Sequence, residues 1–172
     1  MIDIISEKEI KKWKCVYKEC EALCCAHPPL ITIGSIRRIS DATKLKPEEF
    51  VHLSEDKPGL FRLKTREKDG KCFFSNDDHS CELHKIDKHP LFCRMLPFKF
   101  DGLTYGDEII LRLKAIQECP GYGKGGDFDD EAKTEIEKWA ARFARELENY
   151  VRLKHKGLSF NEIFNKNWRE IE

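Results

Sequence analysis

The sequence predicts an α+β fold, in which short helices and small antiparallel hairpins precede one long C-terminal helix. Three observations favour this class. Short apolar segments flank the Asp-Gly pairs at residues 69–70 and 101–102, which is typical of hairpin turns. From residue 129 to 155, apolar side chains recur at steps of three and four, as they do on one face of a helix. All eight cysteines lie between residues 15 and 119, so the composition changes before the last third of the chain.

The short helices are predicted from capping residues and apolar spacing. A Ser-Glu capping box at residues 6–9 predicts a helix that ends near Trp13. Isoleucines at helical spacing predict a second helix over residues 35–43, and Pro47 suits the first turn of a third. Ser80 is a suitable N-cap for a fourth helix, which is predicted to end at Lys85.

Short runs of apolar residues next to turn signals predict the strands. Four of the strands form two hairpins around the Asp-Gly pairs, and a fifth follows the second hairpin. The predicted strands are residues 60–63 and 71–74, residues 96–100 and 103–105, and residues 108–114. The Gly-rich stretch 121–126 is predicted to be a mobile linker.

The change in composition predicts two parts of the chain. Residues 1–126 form a cysteine-bearing domain, and residues 127–172 form a helical extension. The extension begins with the long amphipathic helix and ends with a short one, which a second capping box at residues 159–162 opens. We expect the C-terminal helix to dock a protein partner.

Composition argues against some classes of function. Lys and Arg together number 31, as do Asp and Glu, so the formal net charge is zero. A chain without excess positive charge is not expected to bind nucleic acid, because the phosphate backbone attracts basic surfaces. The apolar runs are too short for a transmembrane helix, and the first residues lack the basic-then-apolar order of a signal peptide. We therefore expect a cytoplasmic protein that contacts neither membrane nor nucleic acid.

The cysteines are the main indication of chemistry. They are Cys15, Cys20, Cys24, Cys25, Cys72, Cys81, Cys93 and Cys119. In a reducing compartment, thiols in this number are more often metal ligands than disulfides. We predict that all eight are metal ligands and that metal binding stabilises a small core. Buried inert thiols and structural disulfides are the weaker alternatives.

The spacing of the cysteines favours an iron–sulfur cluster over zinc as the cofactor. It reads Cys-x4-Cys-x3-Cys-Cys, then after a long gap Cys-x8-Cys-x11-Cys, and finally Cys119. Structural zinc sites usually contain pairs two to four residues apart, and Cys20 with Cys24 is the clear pair of this kind. Four thiolates per centre is the recurring number for zinc and for clusters, so eight thiols could serve two centres.

Arg94 is the predicted cofactor-binding residue because it directly follows Cys93. Its guanidinium can donate hydrogen bonds to cluster sulfurs or to an anionic ligand. A structural ion pair is an equally open alternative for this side chain.

Five segments carry a resemblance to a known family: residues 15–25, 31–50, 70–74, 81–84 and 90–98. In combination they resemble the YkgJ-type cysteine cluster family of zinc- or iron-chelating domains, over roughly residues 14 to 120. The resemblance implies a metal centre of the zinc or iron–sulfur type. A similar module occurs in flagellin lysine N-methylases, which transfer a methyl group from S-adenosylmethionine.

The predicted function is that of a metal-binding cysteine-cluster protein, used as a redox, carrier or accessory module. Two alternatives stay open. One is a metal-dependent protein-modifying enzyme, either methyltransferase-like or an oxidoreductase, and the other is a zinc-stapled interaction protein. The sequence contains no HExxH motif, no phosphate-binding loop and no Gly-rich strand–turn–helix. It therefore predicts no catalytic residue and leaves open whether the protein is an enzyme.

Overall fold

The computed structural model describes residues 2–5, 9–106 and 109–167. It contains helices and mainly antiparallel sheets, which confirms the α+β class. In this part of the chain the strands are β1 (Ile2–Ile5), β2 (Lys12–Trp13), β3 (Leu30–Ile31), β4 (Val51–Lys57), β5 (Leu60–Leu63), β6 (Phe98–Tyr105), β7 (Ile109–Ala115) and β8 (Tyr122–Asp127). The helices are α1 (Ile33–Thr43), α2 (Pro47–Phe50), α3 (Glu82–Lys85), α4 (Leu91–Arg94), α5 (Asp130–His155) and α6 (Phe160–Phe164), with a short 3-10 helix at Leu23–Ala26.

The described strands form three small sheets. In the first sheet β7 lies in the centre, with β1 parallel to it on one side and β6 antiparallel on the other. The second sheet has the order β3-β5-β4 and is antiparallel. The third is the antiparallel pair of β2 and β8, which joins the start of the chain to the segment before α5. The parallel pairing of β1 with β7 departs from the predicted antiparallel hairpins.

The first predicted hairpin is confirmed at its turn and wrong in its strands. Across Asp69 and Gly70, Thr65 and Cys72 form an isolated antiparallel bridge, and the Arg66 amide donates to the Lys71 carbonyl at 2.7 Å. The predicted strand 60–63 is β5, which pairs with β3 and β4 rather than with residues 71–74.

The turn between β4 and β5 lies at Pro58 and Gly59, where Gly59 has a φ of +76°. A Cβ at Gly59 would also lie 2.5 Å from the side chain of Leu147 in α5. The turn therefore requires glycine both for its backbone conformation and for space.

The second predicted hairpin is also wrong, because Asp101 and Gly102 lie inside β6. The register of β6 against β7 shifts between Phe100 and Gly102, as it does at a β-bulge. The strand therefore continues where a turn was expected. The predicted strand 108–114 is β7, and residue 108 lies outside the described residues.

The pair of β2 and β8 overturns two further predictions. The predicted helix at residues 6–13 is wrong at Lys12–Trp13, which form β2, and its capping serine lies outside the described residues. The predicted linker 121–126 is largely β8, which pairs with β2. The Gly-rich composition of β8 therefore did not indicate a strand, because the strand depends on its pairing with β2 near the start of the chain.

The other helix predictions are confirmed, because their signals were local. The predicted helices at residues 35–43, from Pro47, at 80–85 and at 129–155 are α1, α2, α3 and α5. The predicted serine cap of α3 is wrong, because Cys81 is the N-cap residue and its side chain makes no capping hydrogen bond. α5 follows Asp129, whose carboxylate accepts a hydrogen bond from the Ala132 amide, and α6 opens with the predicted capping box at residues 159–162. Among the described residues, no helix combines the length and the apolar character needed to cross a bilayer.

The long helix α5 packs against two hydrophobic clusters. Ala140 and Phe143 lie in the cluster that includes residues of β6 and β7. Tyr150 and Leu153 lie in the cluster that includes residues of β5 and α1. The apolar face of α5 is therefore buried within the chain, where each large side chain stabilises the fold by about 1.5–3 kcal/mol. The domain boundary after residue 126 and the docking of a partner by this extension stay predictions.

A buried carboxylate also joins α5 to α1. Glu146 is fully buried and accepts hydrogen bonds from Arg38 at 2.6 Å and from Arg142 at 3.2 Å. The Thr32 hydroxyl is a third donor to this carboxylate. Gly34 lies against the same group, and a Cβ at that position would overlap it. A buried charge of this kind is tolerated because its hydrogen-bond donors satisfy it.

Candidate metal centre

Three of the predicted metal ligands lie in the segment between β5 and β6. Cys72 and Cys81 each form an isolated antiparallel bridge, and Cys93 lies in α4. Cys24 and Cys25 lie in the 3-10 helix near the start of the chain. The Cys72 amide donates to the Cys25 carbonyl at 2.8 Å, which attaches the 3-10 helix to this segment.

Four thiols lie near enough to influence one another's ionisation. The pKa of Cys93 is raised well above its ordinary value, first by burial. The neighbouring thiols of Cys72, Cys24 and Cys81 raise this pKa further. Burial also raises the pKa of Cys72 to about 11, with a further contribution from Cys81. We define the inner thiol group as Cys24, Cys72, Cys81 and Cys93, which the fold brings together from distant positions in the sequence.

Three other thiols form a second neighbourhood, next to the pair of β2 and β8. Trp13 in β2 donates its indole N–H to the sulfur of Cys119 at 3.3 Å. The pKa of Cys15 is raised first by burial and then by Cys24. Cys20 and Cys119 raise the same pKa further. We define the outer thiol group as Cys15, Cys20 and Cys119, with Cys24 lying close to both groups.

The adjacent pair Cys24 and Cys25 follows a strained turn. Glu21 and Ala22 both have left-handed backbone, with φ of 52° and 51°, a conformation that costs about 1 kcal/mol or more at a non-glycine residue. Lys71 donates to the Glu21 carbonyl at 2.8 Å and so ties the turn to the segment after β5. The pKa of Cys24 is raised, first by a hydrogen bond with the Cys25 thiol and then by burial. Contacts from the rest of the fold thus impose the backbone that positions these two thiols.

The donor set fits a thiolate-bound metal in type and in number. All eight cysteines lie in the described residues, and none forms a disulfide. Crowding raises the pKa of thiols because neighbouring thiolates repel each other, and a bound cation removes that repulsion. Among the described residues, no three Cys, His, Asp or Glu side chains already lie at positions that could hold one ion. Metal binding would therefore release protons and draw the thiol side chains together.

Arg94, the predicted cofactor-binding residue, makes its contacts within the protein. Its guanidinium donates to the backbone carbonyl and to the carboxylate of Asp87, both at 2.8 Å. Its Cζ lies 4.7 Å from the centre of the Trp139 ring. The positive charge opposes the rise in the pKa of Cys93. These contacts fit the ion-pair alternative, and contact between Arg94 and a cofactor stays a prediction.

The structure adds two features that the sequence did not indicate. One is the contact of Trp13 with Cys119, for which no local motif exists because the two residues lie near opposite ends of the cysteine-bearing region. The other is the stacking of His84 on His89, with ring centres 4.7 Å apart. Burial lowers the pKa of His89 to about 4, and the charge of Arg94 lowers it further. The Nδ1 atom of His89 is buried and has no hydrogen-bond partner within the described residues.

A cleft of about 480 Å³ lies at the start of β8. Its walls include residues 9–12, the end of β7 and Tyr122. Burial raises the pKa of Tyr122 to about 12, and the thiol of Cys119 contributes to this rise. The residues that line the cleft include none of the eight cysteines.

Comparison with protein families matches residues 14–123 to CxxCxxCC, described as "Putative zinc- or iron-chelating domain". The match covers more than half of the chain and contains all eight cysteines. The chain belongs to this family. The CxxCxxCC assignment confirms the resemblance seen in the sequence and supports metal binding, without distinguishing zinc from iron. Searches of the curated proteins and of the solved structures found no match to this chain.

Proposed function

We propose that this CxxCxxCC protein binds an iron–sulfur cluster through the inner thiol group and acts as a redox, carrier or accessory module. The observation that supports the proposal is the influence of Cys72, Cys24 and Cys81, from the two bridge positions and the 3-10 helix, on the pKa of the buried thiol of Cys93 in α4. Four thiolates around one centre is the recurring number for iron–sulfur clusters and for structural zinc. Family membership supports a metal at this site, and the choice of metal is our inference.

The spacing within the inner thiol group supports a cluster rather than zinc. Its members are Cys24, Cys72, Cys81 and Cys93, and no two of them are two to four residues apart. Structural zinc sites usually rely on such close pairs. A cluster bound here would supply one-electron transfer, which suits a redox or carrier role.

The chain's own residues would orient the ligands and balance their charge. The hydrogen bond from the Cys72 amide to the Cys25 carbonyl fixes the 3-10 helix against the segment after β5. Arg94 supplies a positive charge next to Cys93, where four thiolates would concentrate negative charge. Asp87 holds this guanidinium in place through two hydrogen bonds.

The test compares Cys93→Ser with Cys15→Ser in protein purified without oxygen. Cys93→Ser should lose the metal of the inner group and also lose thermal stability, because one of four ligands is removed. Cys15→Ser makes the same chemical change in the outer thiol group and is the matched control, which should keep the inner metal. Iron, zinc and sulfide per chain are measured together with the unfolding midpoint. Full metal content in Cys93→Ser would contradict the proposal, as would equal losses from the inner site in both variants.

We also infer that the protein works in the cytoplasm. Eight crowded thiols that form no disulfide suit a reducing compartment, where thiols stay free for metal. Thiol labelling in intact cells would check this inference. Extensive disulfide pairing before lysis would contradict it.

A further inference from the structure

The backbone places Ser75 beside two of the predicted metal ligands. Ser75 lies directly opposite Cys81 in an isolated antiparallel bridge. Its amide donates to the Cys72 carbonyl at 2.9 Å, which closes a tight turn over residues 72–75. Because these are backbone contacts, Ser75 stays next to Cys72 and Cys81 whether or not the thiols are ionised.

The hydroxyl of Ser75 is the unsatisfied part of this residue. Ser75 is 4% exposed, and among the described residues no group forms a hydrogen bond with its Oγ atom. The Ser75 carbonyl, in contrast, accepts a hydrogen bond from the Arg66 guanidinium at 2.5 Å. A buried hydroxyl without a partner costs stability. Such groups are rare in folded proteins, and an ion bound at the site is one explanation for them.

The bridge also puts the Ser75 hydroxyl on the same side of the backbone as the Cys81 thiol. Residues directly opposite each other in an antiparallel pair carry their side chains on one face, close enough to interact. A protonated thiol is a weak acceptor, whereas hydrogen bonds to charged acceptors are roughly twice as strong as those to neutral ones. The hydroxyl therefore gains a good acceptor when Cys81 becomes a metal-bound thiolate.

We propose that Ser75 donates a hydrogen bond from its hydroxyl to the metal-bound thiolate of Cys81. The proposal rests on the proposed function, which takes Cys81 as a ligand, and it assigns a role to a residue that is not itself a ligand. Ser75 is a positioning residue, because a donor to a ligand fixes the orientation of that ligand and tunes the metal. When the metal–sulfur bond forms, the thiol proton leaves to solvent, the serine keeps its proton, and no oxidation state changes.

Cobalt(II) is the probe, because the charge-transfer absorption of a cobalt–thiolate bond reports on hydrogen bonds to the sulfur. The full chain in its reduced form is titrated with Co²⁺. Ser75→Ala should weaken cobalt binding about tenfold, as the loss of a partner of a metal ligand does. Its charge-transfer band should move to longer wavelength, because a thiolate without the donor releases an electron more easily. The metal-free variant should unfold at the wild-type temperature or above it, since an unsatisfied hydroxyl has been removed.

Two controls separate the hydroxyl from the shape of the side chain. Ser75→Thr keeps a hydroxyl, and Ser75→Val has the shape of threonine without it, so the threonine variant should bind cobalt about tenfold more tightly than the valine variant. Ser35→Ala removes a buried hydroxyl that already has partners in Thr32 and Arg38. It should lower the unfolding temperature of the metal-free chain and leave the position of the cobalt band unchanged.

The outcomes separate this proposal from the proposed function. If the wild type binds cobalt and Ser75→Ala has the same affinity and the same band, the role of Ser75 is refuted and the metal centre stands. A Ser75→Ala variant that loses metal-free stability and affinity while its band stays in place would show a purely structural role. No cobalt binding by the wild type would overturn both proposals. If circular dichroism shows that Ser75→Ala is unfolded, the Ser75→Thr and Ser75→Val pair decides, and equal affinities and bands in these two would refute the hydrogen bond.

Discussion

Replacing Glu146 with alanine should loosen the attachment of α5 to α1. The carboxylate is fully buried and accepts hydrogen bonds from Arg38, Arg142 and Thr32. Removing one partner of a buried ion pair costs about 3–5 kcal/mol, because the charge that remains loses its compensation. The side chains of Arg38 and Arg142 are 19% and 32% exposed, so water can partly replace the carboxylate. We therefore expect a loss near the lower limit, about 3 kcal/mol.

Urea unfolding followed by circular dichroism measures this loss. With a denaturant slope of about 2 kcal/mol per molar, the midpoint should fall by about 1.5 M. Glu146→Gln keeps the shape and should lose roughly half as much, because hydrogen bonds to a charged group are stronger than those to a neutral one. Glu137→Ala makes the same change at an exposed position of α5 and should alter the stability by less than about 0.5 kcal/mol. A Glu146→Ala midpoint equal to that of Glu137→Ala would refute the reasoning.

Three further predictions concern the β2–β8 pair, acid stability and the C-terminal helix. Gly121→Ala should force β2 away from β8 and cost about 1–3 kcal/mol, whereas Gly126→Ala, where a Cβ meets nothing within 4 Å, should leave the thermal midpoint unchanged. The pKa of His89 lies at about 4 instead of 6.5, so the neutral form is favoured in the folded state. As the pH falls from 6.5 to 4, the unfolded chain takes up a proton that the folded chain excludes, so stability should fall, by less than about 3 kcal/mol because solvent partly reaches the ring. In His89→Phe this part of the acid loss should be absent from pH-dependent unfolding curves. A chain that ends at residue 127 lacks the part of both hydrophobic clusters that α5 supplies and should not fold, as judged by circular dichroism. A folded, metal-binding fragment would instead support the predicted domain boundary.

Sequence patterns predicted the helices well and the strand pairings poorly. The cap at Asp129 and the apolar periodicity of α5 can be seen within a short stretch of sequence, because helical hydrogen bonds join residues four apart. Strand pairing depends on distant partners. An Asp-Gly pair suits a bulge as well as a turn, so residues 101–102 gave no means of telling that β6 continues through them. The Gly-rich β8 showed no apolar alternation, and its pairing with β2 fixes it as a strand.

The kind of chemistry was predictable from the sequence, and the arrangement of the site was not. Eight cysteines indicate metal binding by their number alone, and the family match confirms that general expectation. The division into inner and outer thiol groups depends on how the segment after β5 folds against the 3-10 helix. The donor from Trp13 to Cys119 likewise exists only once β2 pairs with β8. The individual ligands stay predictions that the variants above test.

The most direct test of the central claim is the metal and acid-labile sulfide content of the wild-type chain, purified without oxygen, together with its absorption spectrum. We predict iron with matching sulfide and a brown chromophore that bleaches on reduction. Colourless protein with stoichiometric zinc would contradict the cluster and keep the thiolate site. Protein that holds no metal and whose thiols are paired as disulfides would contradict the claim that these cysteines bind metal.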